Sequence, residues 1–351
     1  MRKRYRTVML GCGEMSGHWL AQIRDNLNDR VEIVGLVDLN AESAARRATE
    51  FGHENAWQGT SLEGALRELR PEVVFNCTVP KAHLPTCLQA LEAGCHVLVE
   101  KPMAATVAEG QELVRASAQA GRCLAVIQNR RYHSGGETAR RALAEGTIGR
   151  IHTLCVDFFV GPHFGGFRET MESPLLLDMA IHTFDQSRYL TGFNSQKVTC
   201  HEFNPPGSWF AHGASAFATF EMTGGVMFNY RGSWCAQGCP VSWNGAWRFI
   251  GENGTLLWDG EKTVVAERID PAWDGQGFTQ PLEKLTIPQL PLAPVQSGHA
   301  GNITEFLDCI ESGGAPQTVA ADNIRSLAMV EAAISSARAG GAATSIPDNL
   351  L

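Results

Sequence analysis

Short apolar runs alternate with amphipathic stretches through the first third of the chain. Thr7–Leu10, Val31–Val37, Val73–Cys77, His96–Val99 and Cys123–Ile127 are apolar, several of them β-branched, and read as buried strands. Gly17–Asn26, Ala41–Phe51, Leu62–Leu69, Ala82–Ala93 and Val107–Ala120 read as the helices between them. Gly94 and Gly121 stand where a helix end favours glycine. This alternation predicts a parallel sheet covered on both faces.

The rhythm changes after about Arg130. Glu137–Glu145 reads as helix, Ile151–Val160 as strand, Gly161–Ser173 as a Gly-, Pro- and His-rich loop, and Leu175–Tyr189 as helix. From Lys197 to Arg268 the pattern is strands with Gly-rich turns: Ala214–Met222, Gly225–Gly232, Trp247–Ile250, Thr255–Trp258 and Thr263–Glu267. A Pro-rich loop, Pro271–Pro294, precedes two closing helices, Ile303–Ser312 and Ala320–Ala339. The expectation is an α/β domain over 1–130, then an α+β substrate-binding and oligomerisation domain over 131–351 with an open, mostly antiparallel sheet. One uncovered sheet face predicts a homodimer or homotetramer built sheet to sheet.

Composition narrows the partners. The 351 residues are 44% hydrophobic and carry a formal net charge of −8, ordinary for a globular chain with two cores. The one basic stretch is Met1-Arg2-Lys3-Arg4-Tyr5-Arg6, so no nucleic-acid partner is expected. The apolar run behind it, Val8-Met9-Leu10, stops short of the roughly 7–15 residues of an export core. No run reaches the about 18 apolar residues of a membrane span. The ten cysteines are scattered, and the closest pair, Cys235 and Cys239, does not match a zinc knuckle. They read as free thiols of a cytoplasmic protein, and no metal is expected.

Strand Thr7–Leu10 runs into Gly11-Cys12-Gly13-Glu14-Met15-Ser16, a G-x-G-x-x-G turn with Ser at the third glycine. The first glycine allows the tight turn, the second lets backbone approach a pyrophosphate, and the third position needs a small residue for helix–strand packing. The helix start presents free N–H groups to phosphates. Asp38 ends the second strand, where a carboxylate accepts from both ribose hydroxyls and repels a 2′-phosphate. Residues 1–130 thus read as a Rossmann domain for NAD in preference to NADP. Arg46 and Arg47 read as solvated. Strand Val73–Cys77 leads into Thr78-Val79-Pro80-Lys81-Ala82-His83, a loop expected beside the nicotinamide ribose, with His83 a candidate contact.

Candidate chemistry sits in two places. Glu100-Lys101-Pro102 follows strand His96–Val99, and the proline restricts the lysine backbone to extended geometry. Asp178 and His182 are spaced i, i+4 on a helix flanked by Leu175, Leu176, Leu177, Met179, Ala180 and Ile181, so they share one face among apolar neighbours. Asn129 and Arg130 end the last strand of the first domain. His163, Phe164 and Arg168 precede the Asp178 helix. Trp234, Trp243 and Trp247 cluster in the sheet region, where an aromatic face suits the C–H face of a sugar.

Taken together, these segments resemble the Gfo/Idh/MocA family. The resemblance rests on the Gly11–Ser16 turn, Thr78-Val79-Pro80…His83, Ala93-Gly94-Cys95-His96-Val97-Leu98-Val99-Glu100-Lys101-Pro102, Gln128-Asn129-Arg130-Arg131-Tyr132, Gly146-Thr147-Ile148-Gly149 and Leu176-Leu177-Asp178-Met179-Ala180-Ile181-His182. It implies an NAD-dependent dehydrogenase acting on CH–OH groups of a sugar, cyclitol or polyol. Lys101, Asp178 and His182 would face the substrate beside C4 of the nicotinamide. Cys12, Glu14, Met15, Thr78, Val79, Pro80, His83, Glu100 and Asn129 would join Gly11, Gly13, Ser16 and Asp38 around the cofactor. Asn129, Arg130, His163, Arg168 and Trp243 would border the substrate. The chain departs from the family at Ser16 and at Met171-Glu172-Ser173-Pro174, where many members have a Gly-rich run. Two rival readings are an NAD-assisted glycoside-cleaving enzyme acting through transient C3 oxidation and a non-catalytic dinucleotide-binding regulator.

Overall fold

The computed structural model of the chain describes residues 3–351; Met1 and Arg2, where the basic start begins, lie outside them. Contacts divide the chain into two compact units. One is the chain up to Tyr132 with Leu292–Leu327 and Leu350–Leu351; the other is His133–Pro291 with Ala328–Asn349.

The first unit is a Rossmann fold. Strands β1 (Tyr5–Leu10), β2 (Val31–Val37), β3 (Trp57–Gly59), β4 (Val73–Asn76), β5 (His96–Val99) and β6 (Leu124–Val126) form one parallel sheet in the order β3-β2-β1-β4-β5-β6. Helices α1 (Glu14–Asn26), α2 (Ala41–Phe51), α3 (Leu62–Leu69), α4 (Pro80–Glu92) and α5 (Val107–Ala120) connect them. Asn40, Ser61 and Thr106 each accept a backbone N–H at a helix start, and Gly52 and Gly121 take left-handed turns at helix ends. A later helix, α9 (Gly298–Ser312), packs Ala300, Ile303, Phe306 and Leu307 into the same core as Trp19, Leu36, Phe75 and Leu98.

The second unit is built on a mostly antiparallel sheet of nine strands, β14-β13-β12-β11-β7-β10-β9-β8-β15, with one parallel pair, β7 and β10. Its strands are β7 (Ile151–Phe159), β8 (Ser195–Phe203), β9 (Ser215–Met222), β10 (Val226–Ser233), β11 (Ala246–Gly251), β12 (Gly254–Trp258), β13 (Val264–Ile269), β14 (Leu282–Thr286) and β15 (Thr344–Ser345). Leu282–Thr286 falls inside the stretch expected to be Pro-rich loop, and pairs with β13 as an exposed edge. Helix α6 (Ser134–Ala144) precedes β7, and α10 (Ala320–Arg338) follows α9. Phe184, Phe220, Phe228 and Tyr230 pack edge-on and stacked at the centre of this core. Among the described residues, no helix is long and apolar enough to cross a membrane.

Candidate active site

Strand register aligns the candidates of the first unit. Leu10 lies beside Asn76, Asn76 beside Val99, and Val99 beside Val126. The carboxyl ends of four parallel strands are therefore flush, and Gly11, Cys77, Glu100 and Ile127 leave the sheet side by side. The strand order reverses between β1 and β4, the point at which an open α/β sheet leaves a crevice for ligand.

The glycine turn is tightly specified. Gly11 turns at φ +85°, and a Cβ there would lie 2.7 Å from the Cys77 carbonyl, so only glycine fits. Gly13 has ordinary backbone angles, and a Cβ there would meet nothing within 4 Å. That open space, at the start of α1, fits the close approach of a pyrophosphate. The Gly13 carbonyl accepts from Ser16 Oγ at 2.6 Å, Arg47 Nη2 at 2.8 Å and Arg47 Nε at 3.1 Å. Ser16 is fully buried, so it takes the small-residue role, while a Cβ on Gly17 would lie 2.9 Å from Arg47 Nη1.

Arg47 is not solvated as expected: it is buried and locks the turn, whereas Arg46 is exposed. The one hint of this in the chain is Gly17, a second small residue directly after Ser16. Glu14 is exposed and Met15 half-buried on the first turn of α1. Asp38 accepts from the Cys12 and Asn40 amides, each at 2.8 Å, which fixes its carboxylate at the end of β2. The buried Cys12 thiol is pushed up to about 12, chiefly by burial and then by Asp38, so it stays protonated.

The next two strand ends are tied together. Asn76 accepts from the Thr78 amide at 3.1 Å and the Thr78 hydroxyl at 2.7 Å. Val79 is exposed, and Pro80 opens α4. His83 is fully buried, with Nε2 3.0 Å from the Thr78 carbonyl and Nδ1 2.8 Å from the Pro102 carbonyl. It therefore acts as a strut between two loops. Burial lowers its pKa, against the pull of the two carbonyls. A neutral imidazole donates to one of these carbonyls, so His83→Ala leaves a buried carbonyl without its donor and costs about 1–3 kcal/mol of stability, read as a lower melting temperature. His83→Gln, with two N–H donors, should recover part of the loss.

Glu100 is buried and accepts from Trp19 Nε1 at 2.9 Å and from the Lys101 amide at 3.1 Å. Trp19 was not singled out in the sequence, yet it anchors the acid next to Lys101. The Lys101–Pro102 peptide is cis, and Lys101 is half-buried. Past β6, Asn129 Nδ2 lies 3.3 Å from Nδ1 of His299, another residue that sequence reasoning missed. Burial, then His18, Arg130 and Lys101, lower the His299 pKa to about 4. From about pH 6.5 down to about 4 the unfolded chain takes up a proton that folded His299 refuses, so stability falls across that window. His299→Gln should flatten the melting temperature over those pH values.

The second unit holds the other candidates. Leu175–Ala180 winds as a π-turn and passes into α8 (Ile181–Thr191), in place of the single regular helix expected. Asp178 lies in the π-turn and His182 in the first turn of α8. The i, i+4 argument for a shared face therefore holds only loosely, since a π-turn closes at i+5. Such turns are frequent at functional sites. Ser173, just before it, sits in the left-handed region at φ +48° and donates to Glu202 at 2.8 Å. Asp178 pairs with Arg168, Oδ2 to Nε at 2.9 Å. His182 is buried. Arg168 lies on a short helix, α7 (Phe167–Thr170), in the loop that also carries His163, which stacks on Trp209 at 3.7 Å. Trp234 and Trp247 are core, whereas Trp243 is 44% exposed. Among the described residues no group of three or more His, Cys, Asp or Glu side chains offers a metal-ligand set.

Two family models match the chain. Residues 5–128 fit the oxidoreductase family with an NAD-binding Rossmann fold, and residues 137–257 fit the GFO/IDH/MocA C-terminal domain. The chain belongs to the GFO/IDH/MocA family. It is thus an NAD-binding oxidoreductase, in agreement with the resemblance read from the motifs. D-glucoside 3-dehydrogenase of Escherichia coli is 28% identical over 209 residues, which span 58% of this chain and 59% of that protein. D-apiose dehydrogenase of Paraburkholderia graminis is 26% identical over 96% of this chain and 89% of its own length. An oxidoreductase from Agrobacterium radiobacter, solved with NAD+, L-tartaric acid and magnesium, superposes with a TM-score of 0.85 at 19% identity, over 98% of this chain and 99% of its own. That superposition shows a shared fold.

Proposed function

We propose that this GFO/IDH/MocA protein oxidises a secondary hydroxyl of a sugar, cyclitol or related polyol with NAD. NAD, when bound, supplies the hydride acceptor. The observation that carries the cofactor reading is the flush edge in the first unit. It combines an open Gly13 turn, an Asp38 carboxylate fixed by two amides, and Lys101 one strand beyond β4. The carboxylate at Asp38 favours NAD over NADP, because a 2′-phosphate would meet a fixed negative charge.

Each chemical role goes to a group of matching kind. His182 takes the hydroxyl proton, since imidazole is the side chain that ordinarily titrates near neutral pH. Lys101 donates to the reacting oxygen and stabilises its developing charge. Asp178 binds a neighbouring hydroxyl and helps orient His182. Asn129 and Arg130 border the substrate from the strand edge. The partly exposed face of the second sheet, with Phe217 and Met227 on it, suits a homodimer or homotetramer of a cytoplasmic enzyme. The test is NAD reduction across cyclitols, aldoses, sugar acids and glycosides, with NADP run beside it. NADH accumulating with a keto product supports the reading. Free sugar released from a glycoside without net NADH would support the rival route through transient C3 oxidation.

A further inference from the structure

We infer that an aromatic rim in the second unit is a subsite for a second sugar ring, so that the preferred substrate is a disaccharide. This rests on the dehydrogenase reading and narrows its substrate class. Phe164 and Trp243 are 48% and 44% exposed, and their ring centroids stand 6.3 Å apart. Both rest on buried rings: Phe164 lies 5.5 Å from Trp234, and Trp243 lies 6.3 Å from Phe158. An exposed pair of rings on a rigid floor is the surface that the C–H face of a pyranose covers well.

Two further observations make the occupant a sugar and not a hydrocarbon tail. The Nε1 donor of Trp234, in the floor, is buried with no hydrogen-bond partner. A buried N–H left unpaired is costly, and a ring hydroxyl is a fitting acceptor once Phe164 shifts. Gly165 and Gly166 follow Phe164, both at positive φ, and a Cβ on either would meet nothing within 4 Å, so that turn has room to move. Secondly, the rim joins the proposed reacting position through Arg168. Its guanidinium lies 5.2 Å from the Phe164 ring and 4.9 Å from that of Phe167, while its Nε holds Asp178 at 2.9 Å. A sugar whose reacting ring meets Asp178 would therefore place a linked ring against Arg168, Phe164 and Trp243.

The test compares NAD reduction with disaccharides and with their constituent monosaccharides, in wild type, Phe164→Ala and Trp243→Ala. Calorimetric binding of the same sugars to the NADH-loaded protein runs in parallel. Wild type should favour at least one disaccharide in kcat/KM, mainly through KM. Each variant should cut that preference roughly two- to tenfold, the range expected for one lost ring contact. Monosaccharides turned over as well as every disaccharide, or a preference that neither variant moves, would overturn the subsite. Disaccharide binding that depends on Trp243 but yields no NADH would retain the subsite and reject the dehydrogenase reading. Neither binding nor turnover would reject both.

Discussion

His182→Ala should lower kcat by roughly 10²–10⁴-fold, the usual contribution of a positioned general base. NAD should still bind, because the proposed cofactor residues lie on the first unit's strand ends and His182 lies in α8 of the second. Two candidate carboxylates, Asp178 and Glu100, are already engaged. Asp178 is held by Arg168, and Glu100 accepts from Trp19 and Lys101. A base that must be neutral to work makes kcat/KM fall toward acid pH, and His182→Ala should erase that limb of the profile. Lys101→Ala should also lose turnover, through the oxyanion it no longer stabilises, but keep the acid limb. A His182→Ala enzyme with wild-type turnover on its true substrate would remove His182 from the chemistry.

Gly11 and Gly13 should fail differently when each becomes Ala. Gly11→Ala places a Cβ 2.7 Å from the Cys77 carbonyl on a backbone at φ +85°. Left-handed strain alone costs of order 1–3 kcal/mol, and the clash displaces the β4 end as well. The expected result is a clearly lower melting temperature together with lost NAD binding. Gly13→Ala meets no steric obstacle and has allowed backbone angles, so its melting temperature should stay near wild type. NAD affinity should nevertheless drop, because the methyl group fills the space that the pyrophosphate would approach. Equal NAD affinity in Gly13→Ala and wild type would move the pyrophosphate off this turn.

Much of the first unit is legible because its punctuation is local. Ala41–Phe51, Leu62–Leu69, Val107–Ala120 and His96–Val99 form over the residues expected from their patterns. Asn40, Ser61, Thr106, Gly52 and Gly121 mark helix ends by chemistry that needs no tertiary context. Strand β3 is three residues long, too short for a period to register. Strand β14 is exposed along most of its length and gains its identity from pairing with β13, so its residues carry no apolar signal. The same division runs through the site. The glycine turn and Asp38 announce themselves, since each answers a local backbone demand. Arg47 and His299 do not, and His83 shows as a candidate but not as a strut. They are polar residues whose roles arise from what tertiary packing places beside them: a glycine carbonyl, two loop carbonyls, and the Asn129 amide. The π-turn at Leu175–Ala180 likewise has no periodic signature, because an apolar run of six fits α and π winding equally well.

The most direct measurement is hydride transfer itself. The protein is mixed with NAD and a panel of polyols, monosaccharides and disaccharides deuterated at their secondary carbinol carbons, and the nicotinamide product is read by mass and NMR. The expected product is NADH deuterated at C4 in equal amount to a keto product, formed by wild type and nearly absent with His182→Ala. No deuterium on the nicotinamide with any substrate, or sugar products formed without NADH, would contradict it.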